Sequence, residues 1–401
     1  MRVYKPSGIK WLGEIPQSWK NVSIRSCFTE SNQRCNTDSY PLLSVTIANG
    51  IIYQDDIENK KDISNDDKSN YKIVPLNAVA YNKMRMWQGA VGVNTLTIGI
   101  VSPAYIVAIP NEKILPNFVS YLFKSKIMIS EFDKNSYGLC LDMNNLRYDD
   151  FRNIKIPLPP LQEQKEIVEF LDKKCEKIQN YIDKKQKLIT LLQEKKQALI
   201  NEVVTKGLNP NIEFKNSGID YLGKIPHHWE VRRMKFMASI HNGREQTEIA
   251  DENGIYPIYG SGGILGKSMY FIYDKPSVLL GRKGTIDKPL FVEEPFWTID
   301  TMFYTSISKI VLPKYFYYLC LTIDFQFYIS GSAIPSMTQY DLANISFALP
   351  PLQEQKQIAN FLDEKCEKIN SAIEKTKRQI KLIKEYKNTL INEAVCGRIN
   401  F

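Results

Sequence analysis

In the run AVAYNKMRMWQGAVGVN, the side chains of Asn82, Lys83, Arg85, Trp87 and Gln88 crowd into one glycine-flanked stretch. Arg, Lys, Asn and Gln are the residue types that bond base edges in the major groove of DNA, while positive charge and small loops grip phosphates. Tyr137 and Gly138 lie in a later loop. Tyr259, Ser261, Lys267, Arg282, Lys283 and Thr285 form a second set, interspersed with glycines such as Gly262 and Gly263 that let a backbone approach a ligand closely. Ser330-Gly331-Ser332 holds the place in the second set that Ser136-Tyr137-Gly138 holds in the first. Plainer readings stand beside these. Trp87 and Tyr259 also suit a core or a turn, Lys83 and Lys267 suit solvated surface, and the glycine run suits an ordinary turn.

Residues for catalysis are harder to find. Both LPPL segments place leucines where methyl transfer to an exocyclic amine needs polar groups. No glycine loop leads a strand into a helix in the manner of a methyl-donor or dinucleotide site, and GRKGTID (281–287) lacks the spacing of a phosphate-binding P-loop. His227, His228 and His241 have no acidic or cysteine partners at ligand spacing, which argues against a metal site. Glu163 and Glu354 open Glu-x-Lys triplets of the kind some nucleases use, but both fall at matching points of a repeated segment and read as structural.

That repeat is the main organising feature. LPPLQEQKEIVEFLDKKCEKI, from Leu158, returns from Leu349 with four changes in 21 positions and an offset of 191. SGIKWLGEIPQSWK, from Ser7, returns as SGIDYLGKIPHHWE from Ser217, and LINEVV, from Leu199, returns as LINEAV from Leu390. The chain therefore reads as two tandem units, each with an opening motif, a variable middle and a long helical segment. Duplication of this sort favours a pseudo-twofold arrangement.

After Pro159-Pro160, apolar residues recur by four and three: Leu171, Cys175, Ile178, Ile182, Ile189, Leu192, Leu199 and Val203, interrupted by Lys185 and Lys196. The second copy interrupts its own series at the corresponding Thr376 and Lys387. Such a seam needs a partner, and the economical partner is the other copy; the plainer alternative is that each helix packs on its own domain. The helices end near Gly207 in the first copy. The middles, 21–155 and 231–346, are rich in short Val, Ile, Tyr and Phe runs broken by Gly, Pro and Asn, which predicts sheets, with a helix expected near 116–125 and another near 313–322. The middles match each other poorly, so the frame is repeated and what it carries is not.

Bulk properties bound the class. Hydrophobic content of 43% and charged content of 24% are ordinary for a globular protein. A net charge of +8 points only weakly to a polyanionic partner. Seven cysteines with no CxxC pair suggest reduced thiols. No apolar run approaches the roughly eighteen residues of a membrane helix, and MRVYKPSGIK has no secretory core, so a cytoplasmic location is expected.

Taken together, the xxLGxIPxxW openings, the YNKMRMWQGAVG, GIVSPAY, GSGGILG and GRKG segments and both LPPLQEQ helix starts resemble the specificity subunit of type I restriction–modification systems, essentially end to end. The resemblance implies an α+β fold: two sheet-rich target recognition domains separated by two long helices paired as an antiparallel coiled coil. It implies a division into 1–155 (first recognition domain), 156–208 (central spacer helix), 209–347 (second recognition domain) and 348–401 (C-terminal spacer helix). Each recognition domain would read one half of an asymmetric, split double-stranded DNA target, with the helices setting the unread gap.

Two modification (methyltransferase) subunits would bring S-adenosylmethionine and dock on the frame, for which Leu161, Gln162, Gln164, Leu352, Gln353 and Gln355 are candidates. Restriction subunits would complete the complex; S-adenosylmethionine, ATP and Mg would belong to partners and none to this chain, which would be non-catalytic. The competing expectations are a self-contained DNA methyltransferase or nuclease, disfavoured by its missing motifs, and a coiled-coil adaptor, which would not need two unlike sheet domains.

Overall fold

The computed structural model describes residues 2–35, 40–57, 68–138, 144–328 and 335–400. Helices α1 (Pro116–Lys124), α2 (Lys126–Lys134), α3 (Tyr148–Phe151) and α4 (Leu161–Lys206) follow one another in the first part of the chain. After the second opening motif come α5 (Pro313–Cys320), α6 (Gln339–Asn344) and α7 (Leu352–Val395). Two compact units result: Met1–Lys184 with Arg378–Phe401, and Lys185–Lys377. Both long helices are thus divided in mid-length, where the sequence suggested whole helices as separate segments.

The seam positions behave as their spacing requires. Every one of them, Lys185, Lys196, Thr376 and Lys387 included, is buried or half-buried, while flanking residues such as Leu191 and Leu382 stay exposed. In the second unit, Ile200 and Val203 near the end of α4 share one apolar cluster with Ile358, Leu362 and Cys366 near the start of α7. There Lys196 donates to the Asn370 side chain at 3.0 Å, so a polar interruption of the seam is answered across the pair. In the first unit the start of α4 lies near the end of α7: burial pushes the Cys175 thiol up while the Lys387 ammonium pulls it back. Start against end in each unit is antiparallel pairing.

Each long helix stops at a left-handed glycine, Gly207 (φ +75°) or Gly397 (φ +76°). A Cβ on Gly207 would lie 3.1 Å from the Trp229 ring, and one on Gly397 would lie 2.5 Å from Pro16 and 3.0 Å from Trp19. The end of α4 therefore seats on the opening motif of the second unit, and the end of α7 on that of the first. Trp19 and Trp229 are both fully buried at these contacts.

The two middles, so unlike in sequence, are built around the same sheet. In the first unit the antiparallel order is Phe28–Ser31, Tyr105–Pro110, Val79–Asn82, Val91–Val93. In the second it is Ala238–Asn242, Met302–Ile307, Ser277–Gly281, Leu290–Val292. The additions differ. The first unit adds the hairpin Leu43–Thr46/Gly50–Tyr53 and helix α2; the second adds a three-stranded sheet in which Tyr256–Gly260 pairs with Gly263–Ser268 and, in parallel, with Trp297–Thr298. In both units the strand after the opening motif pairs with the strand before the long helix, Lys20–Ser23 with Lys155–Leu158 and Glu230–Arg233 with Ser346–Leu349, so each middle begins and ends at one place.

Gln164 and Gln355 fasten each middle to its helix. Gln164 Oε1 accepts the Leu115 N–H at 2.8 Å, and its amide donates to the carbonyls of Lys113 (3.0 Å) and Pro159 (2.9 Å). Gln355 repeats the set with Leu312 N–H (2.8 Å) and the carbonyls of Ile310 (3.0 Å) and Pro350 (2.9 Å). Both are fully buried, so neither faces a docking partner. About two turns further along, Tyr121 donates to Asp172 and Tyr318 to Asp363, each at 2.6 Å. Burial first, and the carboxylate acceptor second, push both phenols far above the usual tyrosine range.

Replacing Gln164 by Leu strands a backbone N–H and two carbonyls in a dry site, at about 1–3 kcal/mol for each group left unmade. Denaturant unfolding of the whole chain should show a loss of about 3 kcal/mol or more for Gln164→Leu and for Gln355→Leu. The exposed neighbour change Gln162→Ala should stay within about 0.5 kcal/mol. Equal effects at positions 162 and 164 would contradict this role.

Candidate nucleic-acid interface

In the first unit, strand Val79–Asn82 leads into a tight turn. Asn82 Oδ1 accepts the Met84 N–H at 3.0 Å, Trp87 Nε1 donates to the Met84 carbonyl at 3.1 Å, and Gly89 (φ +90°) closes the turn. Met86 is buried beneath it; Arg85 and Gln88 point outward into solvent, and Lys83 and Trp87 are half-buried. Trp87 serves the turn itself. The loop running into α3 clasps this turn: Leu146 N–H donates to the Lys83 carbonyl at 2.8 Å, and Tyr137 pairs with Asn145 in both directions. Tyr137, 67% exposed, therefore shares one surface with Arg85 and Gln88.

The second unit makes the same clasp with other side chains. Strand Ser277–Gly281 leads into Arg282, Lys283 and Thr285, and the Met337 N–H donates to the Arg282 carbonyl at 3.0 Å. Met337 stands 191 residues after Leu146, so the clasp belongs to the repeated frame. Gly281 is obligatory here, because the turn folds back until the Thr285 carbonyl would lie 2.3 Å from a Cβ. Arg282 is half-buried with its guanidinium 5.9 Å above the Phe303 ring, while Lys283 is exposed. Arg282, Lys283, Asn242, Thr338 and Gln339 line a shallow cleft of about 360 Å³ floored by Phe303. Charged and amide donors around an aromatic floor suit phosphate and base edges.

Ser261 meets this turn, its Oγ 3.1 Å from where a Gly284 Cβ would stand. Tyr259 does not: its ring is half-buried edge-on to Phe296, and that burial raises its phenol. Lys267 is exposed towards the far end of the same hairpin, opposite Pro257. Ser332 lies outside the described residues. On the frame, Leu161, Gln162, Leu352 and Gln353 are exposed, unlike the two buried glutamines. Glu163 pairs with Arg2, and Glu354 bonds both His228 (2.5 Å) and Trp229 Nε1 (2.9 Å), which makes these carboxylates anchors for the opening motifs. Among the described residues, no group of three or more His, Cys, Asp and Glu side chains is gathered as a metal would need.

Pairing between distant strands adds residues that one-dimensional spacing did not mark. Arg34 bridges Lys72, whose ammonium is lowered first by burial and then by the nearby charges of Lys83 and Arg34, with Glu30 acting in the opposite sense. Lys124, at the end of α1, donates to the carbonyls of Thr46 (3.2 Å), Ile47 (2.7 Å) and Gly89 (3.0 Å). It thereby ties the tip of the first-unit hairpin to the turn that carries Arg85. Only the fold brings these three carbonyls together.

Burial draws the Lys124 ammonium down from 10.5 to about 8. Between those values the unfolded chain holds a proton that the folded chain has released, so this group's contribution to stability rises as pH climbs through 8 and levels off by about 10.5. Thermal unfolding across that window should show a flatter pH slope for Lys124→Met than for the native chain. Parallel slopes would rule out the assignment.

Residues 16–193 and 226–382 match the family described as type I restriction modification DNA specificity domain. The type I restriction enzyme MjaVIII specificity subunit of Methanocaldococcus jannaschii is 27% identical over 336 residues, covering 75% of this chain and 74% of its own length. The fold is shared with a chain from the work described as "Structural basis underlying complex assembly and conformational transition of the type I R-M system", at a TM-score of 0.74 and 16% identity over 96% of this chain and 99% of that one. The HsdS subunit from Thermoanaerobacter tengcongensis superposes at a TM-score of 0.52 with 17% identity, covering 96% and 98%. No helix among the described residues is long and apolar enough to cross a membrane.

Proposed function

Because the chain belongs to the family of type I restriction modification DNA specificity domains, we propose that it is the DNA-specificity subunit of a type I restriction–modification complex. Each unit reads one half of an asymmetric, split double-stranded target. The observation that carries this reading is the clasped turn present in both units and armed differently: Asn82, Arg85 and Gln88 in one, Arg282, Lys283 and Thr285 in the other. Equivalent mounts with unlike side chains suit two different base sequences.

The chain itself is a non-catalytic recognition subunit. Two modification subunits supply S-adenosylmethionine-dependent adenine methylation, and restriction subunits supply ATP- and Mg-dependent cleavage, all in the cytoplasm. Exposed Leu161, Gln162, Leu352 and Gln353 offer those subunits two matching surfaces on the repeated helix starts.

Mapping of methylated adenines in host DNA tests the reading. Methylation should fall at one split, asymmetric sequence, and only when this chain, modification subunits and methyl donor are all present. Exchange of residues 21–155 for another middle should alter one half-site and spare the other. Lys283→Ala should weaken binding evenly across sequences and lower the salt slope by about one unit; Arg282→Ala should cost about 1–3 kcal/mol and relax the second half-site. Methylation by the purified chain alone would point to a self-contained methyltransferase. No DNA preference with every partner present would sink the proposal.

A further inference from the structure

Glycines in this protein usually have an internal reason. Gly89, Gly207, Gly263, Gly284 and Gly397 adopt left-handed φ, and at Gly92, Gly243, Gly254, Gly260 and Gly281 a Cβ would strike a neighbour at 2.0–2.7 Å. Among the glycines so described, Gly262 and Gly266 alone have neither reason: their φ is not left-handed, and a Cβ on either would meet nothing within 4 Å. Both sit on one hairpin of the second unit, Tyr256–Gly260 with Gly263–Ser268. Bare backbone that the fold does not require marks a place where something outside comes close.

The same stretch breaks a second rule. Ile264 is 65% exposed and Leu265 53% exposed, side by side on the outer strand of the three-stranded sheet, ahead of the far end where Ala250 bridges Ser268. Such an edge is normally shortened, charged or covered. The hairpin bends here, since the register slips between Ile258 and Tyr259. At its tip Ser261 touches Gly284, so the hairpin tip meets the turn whose Arg282 and Lys283 line the cationic cleft.

We propose that this hairpin enters the major groove of the second half-site, where Gly262 and Gly266 let its backbone lie against the base-pair edges and Ile264 and Leu265 read thymine methyl groups. The proposal rests on the reading of the second unit as a DNA reader and adds the chemistry of what it reads. DNA is favoured over a protein occupant because the hairpin tip abuts the turn that carries Arg282 and Lys283, whose charge complements phosphate and offers nothing to an apolar strand. Thymine is the base that shows a methyl group in the groove, and aliphatic contact is how it is told from the others.

The test uses the reconstituted complex with modification subunits and a duplex carrying its mapped target. Gly262→Ala and Gly266→Ala should leave the unfolding temperature unchanged or slightly raised, because the unfolded chain loses freedom. Assembly should be unaffected, and methylation of the target should fall at least about tenfold as the added methyl forces the backbone away. In a second arm, deoxyuridine replaces thymine position by position in the second half-site, removing one methyl each time. At one position or more the native complex should lose about three- to fivefold. The double change Ile264→Ala with Leu265→Ala should be indifferent to that replacement.

Indifference of the native complex to deoxyuridine, or a second half-site without thymine, overturns the proposal. So does loss of assembly in the glycine variants, which would assign the face to a protein partner. Absence of any sequence preference in the native complex would instead defeat the parent reading.

Discussion

Two buried side-chain amides hold the molecule's working parts in place. Each of Gln164 and Gln355 spends both amide donors and its oxygen on three backbone groups: two just before the first helix of a middle domain and one at the start of a long helix. Fully satisfied buried polar groups act as rigid fasteners, since any slippage would leave unpaired groups in a low-dielectric site. A recognition domain attached by side-chain packing alone could rock on its helix. One pinned by a three-point amide, and again by Tyr121–Asp172 or Tyr318–Asp363, keeps its loops at a set angle to the frame.

From that constraint follows the division of labour between frame and loops. A shared four-stranded sheet and a shared clasp, Leu146 on Lys83 and Met337 on Arg282, fix where the reading turn stands. Once the backbone is so held, the outward side chains of the turn, Arg85 and Gln88 in one unit and Lys283 in the other, are free to change at little cost to folding. Specific binding groups on loops carried by a rigid scaffold are the general solution to this problem. Here the solution is used twice in one chain, with amide and guanidinium groups in one unit and neighbouring cations over an aromatic floor in the other.

The repeat is not perfect, and its departures are informative. Glu354 accepts from Trp229 and meets His228, whereas Glu163 is engaged by Arg2, which also lies 5.7 Å over the Trp19 ring. The Trp19 indole N–H is left without a partner as a result. Arg2 also donates to the Ile399 carbonyl at 2.9 Å, so in the first unit one side chain joins the two ends of the chain to the helix start. In the second unit His228 takes the place against Glu354 that Arg2 takes against Glu163.

Much of this was legible in one dimension. The seam of α4 and α7, the two predicted helices at α1 and α5, the strands flanking the candidate loops and the stop at Gly207 follow from local periodicity and from residues with narrow conformational choices. The repeat of LPPLQEQ announced a repeated part, because identical short-range chemistry folds the same way twice. The common sheet of the two middles was not legible, since a half-buried strand accepts many residues and only its alternation is constrained. The buried role of Gln164 and Gln355 was also hidden: a glutamine among exposed helix residues gives no sign of the distant loop that will cover it. The cluster of Arg34, Lys72 and Lys83, the three carbonyls around Lys124 and the two glycines without internal cause exist only once strands far apart in sequence have paired. Local rules decide which elements form; long-range contacts, which no spacing encodes, decide which surfaces those elements share.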